Sequence, residues 1–204
     1  VDARELFSTI VEGAWKNGEP GMIFLDRVNE DNVVIDTLGE MVATNPCGEQ
    51  PLLGNESCNL GSINLSKFYI EDDGNWQSKI DWDRLKKVTN SSTHFLDNVI
   101  DANKYATQDI EEMTKATRKI GLGVMGFADL LIQLRIPYNT ELAREVGESL
   151  MKFIRENSDL YSKHLANLRG VYPAGEGNDE YRNACRMTVA PTGTISMIAG
   201  CSSG

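Results

Sequence analysis

Asn45, Cys47 and Glu49 stand at alternate positions in NPCGEQPLLGNESCNL, residues 45–60, and a second cysteine, Cys58, opens the run CNLGSINL. On extended backbone, residues two and four apart project to the same side. These three side chains would then share a face. An amide can hold a hydroxyl by hydrogen bonds, and a carboxylate can act as a general base. A thiol can be a nucleophile, a redox group or a hydrogen-atom donor. The bland alternative is a chance cluster in a turn, because Asn-Pro and Cys-Gly both favour bends. Spacing alone leaves both readings open.

The flanking sequence shows what would position these residues. Residues 41–43 lead into the motif. Residues 58–68 lead out of it as a strand, with Ser62, Asn64 and Ser66 alternating with Ile63 and Leu65. Residues 51–55 form a turn between them, which would lay the two segments side by side. Elsewhere, residues 3–17 carry Leu6, Ile10 and Ala14 at a spacing of four and predict an amphipathic helix stopped near Gly18. Met22, Ile23, Phe24 and Leu25 read as a short buried strand, 26–40 as polar connection and 71–78 as a surface loop. Asp81 caps a helix whose inner face is Trp82, Leu85, Val88, Ser92, Phe95 or Leu96, and Val99. A shorter helix is expected over 108–118.

Residues 120–134 are rich in small residues and then strongly apolar, ending before Pro137. Residues 140–169 predict a long helix with Leu142, Val146, Leu150, Phe153, Leu160 or Tyr161, Leu165 and Leu168 inward, and Gly170 after it. A loop over 172–181 and a strand over 186–190 follow. Met41, Met125, Met187 and Met197 are read as core. Helices and short buried strands alternate, which makes the fold class α/β.

Two glycine motifs compete for attention. Gly121, Gly123 and Gly126 match G-x-G-x-x-G, the dinucleotide-loop pattern, but the charged TKATRKI before them is not a buried strand. Close packing of a helix on a strand is the preferred reading. Pro191, Thr192, Gly193, Thr194, Ile195 and Ser196 follow an expected strand and precede a helix start. There, backbone N–H groups and hydroxyls can surround a phosphate. A plain capped turn is the alternative. His94 and His164 lie in helical patterns and read as solvent-facing or cap contacts.

Composition narrows the function classes. A chain of 204 residues with 41% hydrophobic content is one domain or a large piece of one. A net charge of −10 argues against nucleic acid or an anionic membrane as the main partner. No apolar run approaches the ~20 residues of a membrane helix, and the N-terminus shows no signal peptide. The four cysteines include no C-x-x-C pair, so neither a disulfide framework nor a zinc site is favoured. Val at position 1 and the small-residue ending AGCSSG are what a partial reading frame would show.

NPCGEQPLLGNESCNLGSINLSKF, KIGLGVMGFADLL and APTGTISMIAGCSSG, taken together and in this order, resemble the catalytic subunit of ribonucleotide reductase. The form of the motifs is most similar to the adenosylcobalamin-dependent (class II, vitamin B12-dependent) enzymes. The resemblance implies a ten-stranded α/β barrel with a central finger loop. Residues 1–204 would be a central part of that barrel domain, incomplete at both ends. It also implies a cytoplasmic oxidoreductase that reduces ribonucleoside di- or triphosphates for DNA synthesis through a cysteine thiyl radical.

By that alignment Cys47 would be the radical cysteine that takes the 3′ hydrogen atom of the ribose. Glu49 would accept the 3′-hydroxyl proton, and Asn45 would orient the hydroxyls. Cys58 would be half of the reducing dithiol, its partner lying outside the chain. The segment from Pro191 to Ser196 would bind the substrate phosphates. Cys185 and Cys201 match no catalytic cysteine and read as buried structural thiols. Adenosylcobalamin, a thioredoxin- or glutaredoxin-type reductant, allosteric nucleotides and a homodimer are implied for the full-length protein, whereas the chain alone would be inactive.

Three alternatives stand beside this reading. One is a class I large subunit with a partner-generated radical. The second is a cysteine-rich, metal-stabilised binding module. The third is a nicotinamide-dependent dehydrogenase built on GLGVMG, which needs a strand running into Gly121.

Overall fold

A computed structural model of the chain describes residues 2–175, 177 and 180–204. The loop expected over 172–181 includes 176, 178 and 179, which lie outside the described residues. Its described part begins with a 3-10 turn, Pro173–Gly175.

The N-terminal third is made of short elements. Helix α1, Ala3–Asn17, starts on the Asp2 carboxylate, which accepts from the Arg4 and Glu5 amides, and stops at Gly18 in the left-handed region. The helix is where its spacing puts it, but none of its residues is buried; Leu6, Phe7, Val11 and Trp15 are exposed. The strand expected at residues 22–25 does not form. Met22, Ile23 and Phe24 are exposed coil, and Leu25 opens helix α2, Leu25–Glu30. A four-residue apolar run cannot by itself distinguish strand from other structure. The connection expected over 26–40 contains α2 and a second short helix, α3, Ile35–Leu38.

A hairpin follows. Strands β1, Ala43–Thr44, and β2, Pro51–Leu52, pair antiparallel, with Ala43 opposite Leu52. Strand β3, Leu60–Asn64, then pairs in parallel with β4, Gly121–Met125, from Leu60 opposite Gly121 to Asn64 opposite Met125. Parallel neighbours need a long crossover, and α4, Trp82–Ala102, and α5, Gln108–Thr117, supply it. Asp81 caps α4 as expected, and Leu96 rather than Phe95 turns inward.

Beyond β4 come α6, Phe127–Leu134, and α7, Glu141–Arg169, capped by Thr140. On α7, Val146, Leu150, Ile154 and Leu165 face the core, whereas Leu142, Leu160 and Leu168 face outward. Trp82 meets Phe153 edge-on where α4 packs on α7, with ring centroids 4.8 Å apart.

The chain then returns alongside β4. The Ile120 and Leu122 amides donate to the Cys185 and Arg186 carbonyls, and the Thr188 amide donates to the Leu122 carbonyl. The strand expected over 186–190 is therefore reduced to one parallel bridge, Met187 opposite Leu122. Pro191 has no N–H to continue the ladder. The result is three parallel lines joined by helical crossovers, an α/β arrangement. All five residues of β4 are buried, and Ile63, Leu85, Leu122, Leu130 and Ile154 belong to one core cluster.

The glycines of GLGVMG serve packing. A Cβ at Gly121 would stand 2.6 Å from Thr188 Cγ2, and one at Gly123 would run into the Thr188 carbonyl. Their close partners are the returning segment and, at Gly121, also Leu60 of β3, not a helix. The strand begins at Gly121 instead of leading into it, so the context a dinucleotide loop requires is missing. Of the methionines expected in the core, Met125 is buried, Met41 and Met187 are half-buried, and Met197 is exposed. Among the described residues no helix is long and apolar enough to cross a membrane.

Candidate active site

Residues 45–50 form the loop that closes the β1–β2 hairpin. The Asn45 amide donates to the Gln50 carbonyl at 3.1 Å, and the Gly48 amide donates to the Asn45 carbonyl at 3.0 Å. Gly48 takes a positive φ of 86°, which suits a residue without a Cβ. Asn45, Cys47 and Glu49 are thus not on an extended strand. The bend-forming Asn-Pro and Cys-Gly pairs prevail over the alternation, and the three residues are gathered by a curled tip.

Within that tip Asn45 acts on the loop itself: its Oδ1 accepts the Gln50 amide at 3.0 Å. Its side-chain nitrogen makes no hydrogen bond among the described residues and stays free to donate. The Glu49 carbonyl accepts the Thr188 hydroxyl at 2.7 Å, which fastens the tip to the segment beside β4.

That segment runs directly into Pro191 and then helix α8, Gly193–Ala199. Thr192 precedes the helix in the left-handed region with φ 55°, and its Oγ1 accepts the Gly204 amide at 2.7 Å. The first amide bonded within the helix is that of Ser196, to the Thr192 carbonyl at 2.9 Å. The amides of Gly193, Thr194 and Ile195 precede it at the helix start, where such groups lack intrahelical partners. Behind α8 the chain is clasped to α6. The Ser202 amide donates to Asp129 Oδ2 at 2.6 Å, and the Gly126 amide donates to the Ser202 carbonyl at 2.8 Å.

The hairpin tip and this loop face each other across a cavity of about 350 Å³. Cys47 and Glu49 form one wall, and residues 190–195 form the opposite one. Leu60, Gly61 and Ser62 of β3 lie between them. Cys47 is exposed. One carboxylate oxygen of Glu49, Oε2, is buried and has no hydrogen-bond partner among the described residues. A buried, unpaired carboxylate oxygen is costly, so it fits a donor from a bound molecule.

Three expected residues are not on the cavity wall. Asn45 braces the loop from behind. Ser196 is buried, with its hydroxyl donating to the Gly193 carbonyl at 3.3 Å, so neither its side chain nor its amide is open to a phosphate. Cys58 is exposed just before β3, two residues ahead of Leu60, which lines the cavity together with Glu49. Partial burial pushes its thiol up from the ordinary value. A backbone hydrogen bond works the other way, and the Glu49 charge adds a smaller push upward.

Sequence reasoning missed Thr188 and the floor residues Gly61 and Ser62. The alternation of Ser62 and Asn64 was a signal for the floor. Thr188 had none, because its partner is 139 residues away.

The other cysteines and the histidines stand apart. Cys185 and Cys201 are half-buried, not buried as expected, and the Cys185 thiol is 3.5 Å from the Met187 carbonyl. His94 lies between the Tyr161 hydroxyl at 3.1 Å and Arg169 at 2.9 Å, and the His164 ring is tilted against Tyr161 with centroids 5.5 Å apart. Among the described residues no three Cys, His, Asp or Glu side chains are grouped to hold a metal. The four cysteines therefore do not assemble the metal-stabilised module.

Residues 1–181 match the family model described as ribonucleotide reductase, barrel domain. The chain belongs to the ribonucleotide reductase family. It is 54% identical over its whole length to a vitamin B12-dependent ribonucleoside-diphosphate reductase of Thermoplasma acidophilum, and covers 26% of that protein. It is 46% identical, again over its whole length, to the protein of the same description in Mycobacterium tuberculosis, and covers 29% of it. The class Id ribonucleotide reductase alpha subunit of Actinobacillus ureae superposes with a TM-score of 0.81 at 26% identity, over 98% of this chain and 38% of that one. The chain thus spans less than a third of these two reductase sequences, and the part it spans is barrel.

Proposed function

We propose that this chain carries the radical-chemistry centre of an adenosylcobalamin-dependent ribonucleotide reductase. The supporting observation is the cavity that unites an exposed thiol, a carboxylate with one buried unpaired oxygen, and an open helix start. A nucleotide fits these three features in one orientation. Its phosphates meet the Gly193, Thr194 and Ile195 amides, where N–H groups and the helix dipole favour anions. Its ribose then lies beside Cys47 and Glu49. Glu49 Oε2 accepts the 3′-hydroxyl proton, and Asn45 supports this by holding the tip through its bond to the Gln50 amide. Cys47, as a thiyl radical, removes the 3′ hydrogen atom. The 2′-hydroxyl leaves as water, a dithiol containing Cys58 supplies two electrons and two protons as it closes to a disulfide, and Cys47 and Glu49 then return the hydrogen atom to C3′ and the proton to the 3′-oxygen, which regenerates the thiyl radical and the carboxylate. A thioredoxin- or glutaredoxin-type protein restores the dithiol. Pro191 and Thr192 set the entry into the phosphate loop, and Ser196 braces its first turn from inside.

Adenosylcobalamin, when bound, supplies the radical equivalent. The exposed Cys47 thiol fits a group that reaches it from outside this chain. Neither histidine lines the cavity, so this chain offers no imidazole to cobalt there. In this reading Cys47 is the acceptor of the radical. One finding favours a second reading, in which a partner protein supplies the radical: the likeness to a class Id alpha subunit. An adenosylcobalamin requirement in the full-length protein separates the two.

The test is product analysis. In the full-length reductase, Cys47→Ser abolishes both deoxynucleotide formation and base release, because serine cannot form the hydrogen abstractor. Cys58→Ser still consumes substrate but yields released base and damaged sugar. The isolated 204-residue chain yields no deoxynucleotide. Normal deoxynucleotide yield from either variant would overturn the assignment.

A further inference from the structure

Glu56 lies in the turn between the hairpin and Cys58, outside the cavity, and its side chain is 0% exposed. Its Oε2 accepts the Leu53 amide at 2.9 Å and the Lys119 ammonium at 2.8 Å. Its Oε1 accepts the Thr117 hydroxyl at 2.5 Å. Lys119 is itself only 3% exposed. The next residue continues the attachment: the Ser57 amide donates to Thr114 Oγ1 at 3.3 Å, and the two hydroxyls are 2.9 Å apart. Thr114, Thr117 and Lys119 all belong to the end of α5 and the approach to β4.

The two ends of this grip are informative. Leu53 immediately follows β2, the strand returning from the tip that bears Cys47 and Glu49. Ser57 immediately precedes Cys58. One carboxylate therefore joins the end of the hairpin, the approach to Cys58 and the scaffold behind both. Stability alone is a poor reason for it. Desolvating two charges costs several kcal/mol per ion, and apolar residues of similar volume commonly do as well or better. A carboxylate adds direction, with two oxygens aimed at three donors from two segments, Leu53 after β2 and Thr117 and Lys119 before β4. No apolar side chain could hold Leu53 and Lys119 in a fixed relation.

We propose that Glu56, held by Lys119, is a positioning residue that sets Cys58 against the hairpin tip, so that reduction of the substrate follows hydrogen abstraction by Cys47 in register. This rests on the reductase reading above. It adds a residue that touches neither substrate nor cofactor and governs how the two thiol steps are coupled.

The experiment uses the full-length reductase with Glu56→Gln, Lys119→Met and the double variant, and Glu56→Asp as the conservative control. Two readouts are taken. The first is the partition of consumed substrate between deoxynucleotide and released base. Glu56→Gln and the double variant are expected to raise released base relative to product about tenfold, a change of ~1.4 kcal/mol in competing barriers, while substrate consumption falls far less. Glu56→Asp restores the partition in part. The second needs no turnover. Alkylation of Cys58 is followed against pH by mass spectrometry, with and without Glu49→Gln. In the parent protein, Glu49→Gln lowers the alkylation midpoint. In the Glu56→Gln background that response is lost, because Cys58 no longer sits beside Glu49.

Loss of product and base in equal proportion, or an intact Glu49–Cys58 response in Glu56→Gln, would overturn the proposal. If Glu56→Gln does not fold, Lys119→Met gives the same two readouts. A parent protein that forms no deoxynucleotide would sink the reductase reading, and the alkylation series would still decide whether Glu56 positions Cys58.

Discussion

Asp97 is fully buried on α4, and its carboxylate is surrounded by donors. Oδ1 accepts from Arg118 Nε at 3.0 Å, Arg118 Nη2 at 2.9 Å and Asn183 at 3.0 Å, and Oδ2 accepts from Arg169 at 3.1 Å. Asp101 takes the other face of the Arg118 guanidinium with two bonds of 2.8 Å. Arg182 contributes a third guanidinium, its Nε 3.5 Å from Asp97. The 45–50 loop is organised in the opposite way. Glu49 keeps a buried oxygen unpaired, Asn45 keeps a donor free and Cys47 is exposed. Apart from the buried Arg182 Nε, which has no hydrogen-bond partner among the described residues, the first region satisfies its polar groups from within the chain and fixes the ends of α4, α5 and α7 against one another. The other leaves polar groups unpaired, and two of its residues, Cys47 and Glu49, line a cavity. Buried polarity that is nearly saturated marks a scaffold, and an unpaired buried group that also lines a cavity marks a candidate site.

The largest expected effect breaks the saturated side. Asp97→Ala leaves three arginines with only the Asp101 carboxylate, which is half-exposed and bonded to Arg118, and breaking a buried pair by removing one partner costs ~3–5 kcal/mol. Chemical denaturation of the full-length protein should show that loss or an outright failure to fold. Cys47→Ser, on the open side, should leave the denaturation midpoint within ~0.5 kcal/mol of the parent, as an exposed substitution does, while abolishing turnover. If Cys47→Ser destabilised the protein as much as Asp97→Ala, the division between scaffold and site would be wrong.

The same division explains what could be read from sequence. Helices α1, α4 and α7 were legible because their period and their caps at Asp81, Thr140 and Gly18 are local. The reacting residues were legible because Asn45, Cys47 and Glu49 are neighbours in the chain and the flanking motifs resemble a known family. Their geometry was not, since a curled tip and an extended strand can both present residues two apart. The Asp97 cluster was invisible: it joins positions 97, 118, 169, 182 and 183, which carry no shared pattern. The failed strand at 22–25 is the converse case, a local apolar signal with nothing packed against it.

A smaller effect sharpens the border between the two regions. Gly123 lies against the backbone of Thr188, and a Cβ there would meet its carbonyl. Backbone cannot yield as a flexible side chain can, so Gly123→Ala should cost ~1–3 kcal/mol, the usual range for overpacking. Because Thr188 also holds the Glu49 carbonyl, the damage should reach the open side. Turnover of the folded fraction should fall together with stability. Stability loss with unchanged turnover per folded molecule would show that the returning segment does not transmit to the tip.

The smallest effect isolates one bond at that border. The Thr188 hydroxyl donates to the Glu49 carbonyl at 2.7 Å, and Thr188 is 8% exposed. Thr188→Val keeps the shape and removes the donor; Thr188→Ser keeps the donor and removes a methyl group. A hydrogen bond of this kind contributes ~0.5–1.5 kcal/mol to stability, and leaving a buried acceptor unpaired costs ~1–3 kcal/mol. Stability alone would not distinguish the two variants clearly, because the lost methyl of serine has a cost of its own. The carbonyl that Thr188 holds belongs to the residue whose free oxygen is expected to take the 3′-hydroxyl proton. Loosening it should act on the chemical step more than on binding, since the phosphate amides of 193–195 are untouched. In the full-length reductase, Thr188→Val should therefore lower kcat several-fold with KM little changed, and Thr188→Ser should retain most of kcat. Equal kcat for the valine and serine variants would mean that the tip is held by its own hairpin bonds alone, and that the scaffold ends one residue short of the site.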